Sequence, residues 1–157
     1  MSKKLEAWVD GSCPGNNSEK GTKGGWAVAI RYTDSDTPEI ILAQRFLSGQ
    51  EPDTTNNRME LTAVIECLKI IKYPIDIDIY TDSQYVAEGT QRMLFWSETG
   101  WRKTDGKPVK NQDLWQQIIN LYTQLNSCPI NFIWTRGHAN DIMNNRVDKL
   151  AQEAARS

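Results

Sequence analysis

Apolar and polar positions alternate along residues 5–10, and that period of two predicts a half-buried strand. Residues 26–32 and 39–46 read as two more strands, joined by the polar turn Thr33-Asp34-Ser35-Asp36-Thr37-Pro38, so the three form an antiparallel meander. The period then changes. From residue 56 to 72 apolar residues recur at helical spacing, with Thr55 or Asn56 as N-cap and Pro74 as the stop before a strand over 75–80. A short helix follows Ser83. Residues 113–125 place Leu114, Ile118, Leu121 and Leu125 on one helical face, residues 130–134 form a fifth strand after Pro129, and a last helix spans 143–156. The main elements follow the order β-β-β-α-β-α-β-α. That order implies an α/β fold with a five-stranded mixed sheet, antiparallel at the hairpins and parallel at the right-handed helical crossovers, with helices on both faces.

Four acids stand where these elements meet loops. Asp10 ends the first strand and Asp82 the fourth, and ligands of open α/β sheets bind outside the carboxyl ends of strands. Glu60 and Asp148 arrive on helices. Val64, Cys67, Leu68 and Ile71 share the face of Glu60, and no basic residue does. An inward carboxylate is costly unless it is paired or holds a cation. Two carboxylates ~4 Å apart repel by roughly 4 kcal/mol at an effective dielectric of 20, so clustered acids imply a raised pKa or a divalent cation. Taken singly, each acid also fits a plainer role: Asp10-Gly11 as a turn, Asp82 or Asp148 as a helix cap.

Composition changes this picture little. A chain of 157 residues is expected to form one domain, residues 1–157, and no apolar run approaches the ~20 residues of a bilayer span. The first residues lack a signal peptide's apolar core, and Cys13, Cys67 and Cys128 have no metal-binding spacing, so a reducing cytoplasm is the expected location. Net charge of −2 does not announce a nucleic-acid binder, but its distribution does more. Residues 92–110 carry five basic and two acidic side chains together with Phe95, Trp96 and Trp101. Such a basic aromatic protrusion suits a phosphate backbone, although a solvated helix and anchored loop would look the same. His138, the single histidine, lies in a loop and has a reference pKa suited to carrying protons.

Six segments in this order resemble the type 1 ribonuclease H family, especially its bacterial single-domain members. They are Val9-Asp10-Gly11-Ser12-Cys13-Pro14-Gly15-Asn16, Thr55-Asn56-Asn57-Arg58-Met59-Glu60-Leu61, Tyr80-Thr81-Asp82-Ser83-Gln84-Tyr85-Val86, Pro108-Val109-Lys110-Asn111-Gln112-Asp113-Leu114-Trp115, Gly137-His138-Ala139, and Asn144-Asn145-Arg146-Val147-Asp148. The resemblance implies the ribonuclease H-like fold and a monomeric endonuclease that cuts the RNA strand of RNA-DNA hybrids, leaving 5′-phosphate and 3′-hydroxyl ends. It implies that Asp10, Glu60, Asp82 and Asp148 hold two Mg²⁺ ions, with Mn²⁺ as a possible substitute, and that His138 assists proton transfer or product departure. It further implies hybrid minor-groove contacts from backbone at Gly11 and Cys13 and from Asn16, Asn56 and Gln84. Thr55 and Asn111 match positions that hold a DNA-strand phosphate, and Trp96 and Trp101 match aromatic contacts to that strand.

Two departures from the family pattern stand out. The first loop is lengthened by residues 17–23, and Ser97-Glu98-Thr99 dilutes the usually basic protrusion. Fewer phosphate contacts predict weaker, more salt-tolerant binding. The competing functions are a non-catalytic hybrid-binding module, which requires at least one missing acid or a failed metal site, and another two-metal nuclease or recombinase on the same fold.

Overall fold

The computed structural model describes residues 3–15, 22–126, 128–136 and 141–157. Its strands are β1 (Lys3–Ser12), β2 (Gly24–Asp34), β3 (Ile41–Glu51), β4 (Asp76–Thr81) and β5 (Ile130–Trp134). Its helices are α1 (Asn56–Lys69), α2 (Gln84–Glu98), α3 (Gln112–Gln124) and α4 (Ile142–Arg156). The five strands form one sheet in the order β3-β2-β1-β4-β5. The meander β1-β2-β3 is antiparallel, whereas β4 runs parallel to both β1 and β5, as the mixed-sheet expectation required.

Several boundaries differ from those predicted by periodicity. The helix after Ser83 is not short: α2 has 15 residues, so two full helices separate β4 from β5. β1 continues past Asp10 because Gly11 and Ser12 still pair with Trp26 and Gly25, which puts Asp10 inside the strand. β3 runs to Glu51 rather than ending near Phe46; as an edge strand it is mostly exposed, so its side chains show little alternation while its backbone stays paired to β2. α1 stops at Lys69 instead of 72, where the Ile70 and Ile71 N–H groups turn back to the carbonyls of Cys67 and Leu68.

Alternation along β1 sends Leu5, Ala7 and Val9 into the larger core, with Ile77 and Ile79 of β4 and with Val64, Leu68, Trp115 and Ile118 of α1 and α3. Trp8 points to the opposite face, where Met143, Val147 and Ala151 of α4 close a second core over Ala27 and Ala29. Each buried aliphatic side chain contributes about 1.5–3 kcal/mol, so both layers anchor β1 firmly. Side-chain caps set the helix starts: Thr55, Ser83 and Asp141 accept from the N–H groups of Arg58, Val86 and Asn144. The far end of α4 is tied to the sheet by Gln50, whose Nε2 donates to the carbonyls of Ala154, Ala155 and Ser157.

α2 and α3 meet at Gly89, where an added Cβ would lie 2.2 Å from Trp115 ring atoms. Trp115 is wholly buried and has no room to retreat. Gly89→Ala therefore overpacks the core and is expected to lower stability by about 1–3 kcal/mol, with partial recovery in Gly89→Ala/Trp115→Phe. Urea midpoints of the two variants and the parent check this.

Candidate active site

Asp10 on β1, Glu60 on α1 and Asp82 just beyond β4 bring carboxylate oxygens to within 4.8 Å of one another. Asp10 is 3% and Glu60 6% exposed, so two of the three acids are cut off from bulk water. Glu60 reaches the sheet because α1 starts almost in contact with β1: a Cβ at Gly11 would sit 2.3 Å from the Glu60 nitrogen and 2.4 Å from the Met59 carbonyl carbon. Glycine is required there for close approach rather than for backbone angle. The bare Gly11 N–H then donates to Glu60 Oε1 at 2.7 Å and to Asp10 Oδ1 at 3.0 Å. This bond supplies the partner that the sequence of α1 lacks.

Burial pushes the Asp10 carboxyl well above the usual carboxylate range, and the charges of Glu60 and Asp82 push in the same direction. Burial raises Glu60 too, against the lowering effect of its hydrogen bonds with Asp10 and the Gly11 N–H. Asp10 Oδ2 and Glu60 Oε2 are buried without any hydrogen-bond partner. Buried orphan carboxylate oxygens are expensive, and hard divalent cations prefer oxygen ligands, so the donor set fits such a cation.

Asp148 lies on α4, half-buried, and accepts from Gln152 Nε2 at 3.0 Å. It stands outside the three-acid group, yet close enough to help raise Asp10 and Glu60. One turn earlier on α4, Asn144 is 3% exposed and points Nδ2 at Asp82 Oδ2, 3.5 Å away, while its Oδ1 has no partner. Asn144 occurs in the Asn-Asn-Arg-Val-Asp segment, but only the fold shows which asparagine faces the acids.

The other expected site residues are carried by β1 and its exit, α1, α2 and the segment leading into α3. The Gly11 amide is taken up by the two acids, and the Cys13 amide donates to Asn56 Oδ1 at 2.9 Å, tying the start of α1 to the end of β1. Thr55 is the N-cap of α1. Asn111, at φ 59°, accepts from Arg58 Nη1 at 3.3 Å and donates to Tyr85 Oη at 3.0 Å, while Arg58 grips Asp113 with both terminal nitrogens. Tyr85 Oη also accepts from Trp115 Nε1, so Arg58 and Tyr85, given no role by the sequence pattern, lock Thr55 and Asn111 into one frame. Gln84 opens α2 and is exposed; Trp96 is half-buried, edge-on to Trp115. Trp101 is only 9% exposed and belongs to the main core, so it anchors the protrusion while Arg102, Lys103, Lys107 and Lys110 stay outside. Asn16 and His138 lie outside the described residues.

This arrangement of acids meets matching relatives. The family described as RNase H matches residues 2–156. The chain belongs to the RNase H family. The ribonuclease H of Novosphingobium aromaticivorans is 38% identical over 154 residues, covering 98% of this chain and 97% of that protein. That of Thiobacillus denitrificans is 46% identical over 147 residues, covering 93% and 89%. Among solved structures, LC9-RNase H1, a type 1 RNase H with the type 2 active-site motif, matches with a TM-score of 0.82 at 31% identity, over 99% of this chain and 73% of that one. LC11-RNase H1, solved with an RNA/DNA hybrid, shares the fold at 21% identity and a TM-score of 0.61, over 98% and 97%. The chain is thus a ribonuclease H enzyme, and among the described residues no helix is long and apolar enough to cross a membrane.

A carboxyl whose folded pKa is raised binds its proton more tightly folded than unfolded, so stability is lost as pH rises from the usual value near 3.8 toward the raised one. Asp10→Asn should therefore stabilise the metal-free protein at neutral pH by about 1–3 kcal/mol, a gain that vanishes near pH 4. Mg²⁺ should raise the melting temperature of the parent but scarcely that of the variant. Denaturant and thermal melts with EDTA or Mg²⁺ read both effects.

Proposed function

We propose that the chain is an endonuclease that hydrolyses the RNA strand of RNA-DNA hybrids at the Asp10, Glu60, Asp82 and Asp148 cluster. The observation that carries the reading is the convergence of three carboxylates, two with buried orphan oxygens, in a chain of the RNase H family. Asp10, Glu60, Asp82 and Asp148 would hold two Mg²⁺ ions, or Mn²⁺ in their place. Bound there, the ions would supply the charge that activates the attacking water and stabilises the departing 3′-oxygen, giving 5′-phosphate and 3′-hydroxyl ends.

The protein's own groups do the rest by position. Gly11 orients Glu60 and Asp10 by sharing its single N–H between them, and Asn144 steadies Asp82 from the opposite layer. His138 is assigned proton transfer or product departure from its motif. Asn56 and Gln84, with backbone near Gly11 and Cys13 and with Asn16, are suited to ribose 2′-hydroxyls, which distinguish RNA from DNA. The Thr55 hydroxyl and one Asn111 N–H are neutral donors for a DNA-strand phosphate, and Trp96 borders the basic protrusion along the same strand. A monomer acting in the cytoplasm fits this reading.

One sequence presented as RNA-DNA hybrid, double-stranded RNA, double-stranded DNA and single-stranded RNA, with Mg²⁺ or EDTA, tests it. Cutting is expected only in the hybrid's RNA strand and only with metal; binding without cutting, or DNA cleavage, overturns it. Asp82→Asn should lower kcat at least about 100-fold while hybrid binding persists. Asn144→Ala, which leaves every acid in place, should lower kcat about tenfold through the loosened Asp82.

A further inference from the structure

We infer that Trp134 and Arg136 form an additional substrate contact on the far side of the acid cluster, gripping a phosphate of the strand that is cut. β1, β4 and β5 are parallel neighbours, so their carboxyl ends share one edge of the sheet. Asp10 lies near the end of β1, Asp82 follows β4, and Trp134 is the last residue of β5. Cys13 and Asn56 occupy the side beyond β1. A duplex centred on the acids along this edge would therefore meet Asn56 on one side and Trp134 on the other.

Trp134 is 39% exposed, leaving part of its ring open to a partner. Its Nε1 donates to the Asp82 carbonyl at 3.3 Å, which fixes the ring beside the residue whose carboxylate joins the acid group. The exposed Arg136 lays its guanidinium over that ring, 5.3 Å from the centroid. Among the described residues no carboxylate forms an ion pair with Arg136, although the acid cluster is nearby. Stacking an arginine on indole leaves its N–H fork free in the plane of the guanidinium, the geometry that takes two phosphate oxygens. A group tethered to Asp82 faces the strand whose phosphodiester lies at Asp82. The proposal rests on the hybrid-cleaving reading and adds to it a cation that the basic protrusion does not provide.

The test is binding of a short RNA-DNA hybrid in EDTA, followed by fluorescence anisotropy across a salt series. Arg136→Gln should weaken binding about fivefold and reduce the slope of log K against log salt by about 0.9, the contribution of one phosphate. Lys69→Gln, an equal loss of charge on exposed α1 surface, should leave the slope unchanged. Arg136→Lys should keep most of the slope and lose part of the affinity, and Trp134→Leu should reproduce much of the Arg136→Gln loss. The Arg136 effect should persist on a hybrid whose DNA strand carries a neutral methylphosphonate backbone. An Arg136→Gln curve superimposable on that of Lys69→Gln overturns the contact, as does an effect that disappears with the neutral DNA strand. A parent protein that fails to cleave the hybrid in Mg²⁺ overturns the hybrid-cleaving reading itself; cleavage by the parent with an indifferent Arg136 overturns only this contact.

Discussion

Bringing carboxylates within 4.8 Å of each other in a water-poor cleft opposes folding, and the structure is organised around bearing that cost. At this spacing each pair repels by roughly 3–4 kcal/mol at an effective dielectric of 20, a large share of the 5–15 kcal/mol by which domains are stable. The opposing forces are non-local. β1 is clamped between two apolar layers, α1 is pressed against it through Gly11, and the one N–H at that crossing is shared between Glu60 and Asp10. Only a glycine permits helix and strand to come so close, so the same residue creates the crowding of charge and partly relieves it. A divalent cation would remove the remaining cost, which links metal affinity directly to fold stability.

Periodicity made the layers and strand directions legible, because burial on one face imposes a period of two or 3.6 whatever the partner is. It failed where burial is weak: β3 continues five residues beyond Phe46 because edge-strand pairing is a backbone property. Asp10 and Asp82 were legible because each closes a strand-like run, and Glu60 because it shares the apolar face of its helix. Asn144, Arg58 and Tyr85 were not, since their partners Asp82, Asn111 and Trp115 lie 62, 53 and 30 positions away. Trp101 shows the converse ambiguity: between Gly100 and Arg102 it reads as a surface aromatic, yet its positive φ turns it into the core.

The protrusion is held from both ends by this buried framework. Trp101 receives the Val109 N–H on its carbonyl and donates its own N–H to Trp96, while Lys103 and Lys107 pair across a tight turn. The loop is thereby rigid at its base with its cations exposed. At its other end Asn111 adopts a left-handed conformation that costs an asparagine less than most residues, and Arg58 and Tyr85 hold it there. Neutral groups fixed in this way exert little long-range attraction, in keeping with the dilution of basic residues in Ser97-Glu98-Thr99.

A chain of net charge −2 that handles a polyanion must rely on the placement of its charges. The acid cluster repels phosphate, and divalent cations bound there would neutralise it, so the centre of the site would cease to repel substrate only when it is also competent for chemistry. Fixed cations are needed at the margins, where they can hold the duplex without neutralising the acids. The protrusion lies on the side of α2 and α3, and Arg136, stacked on Trp134 rather than drawn into the carboxylates, stands at the β5 end. The stacking matters for this reason: an unrestrained arginine beside clustered acids would fold onto them and compete with the metal, whereas an indole fixed to the Asp82 carbonyl holds the guanidinium toward the strand.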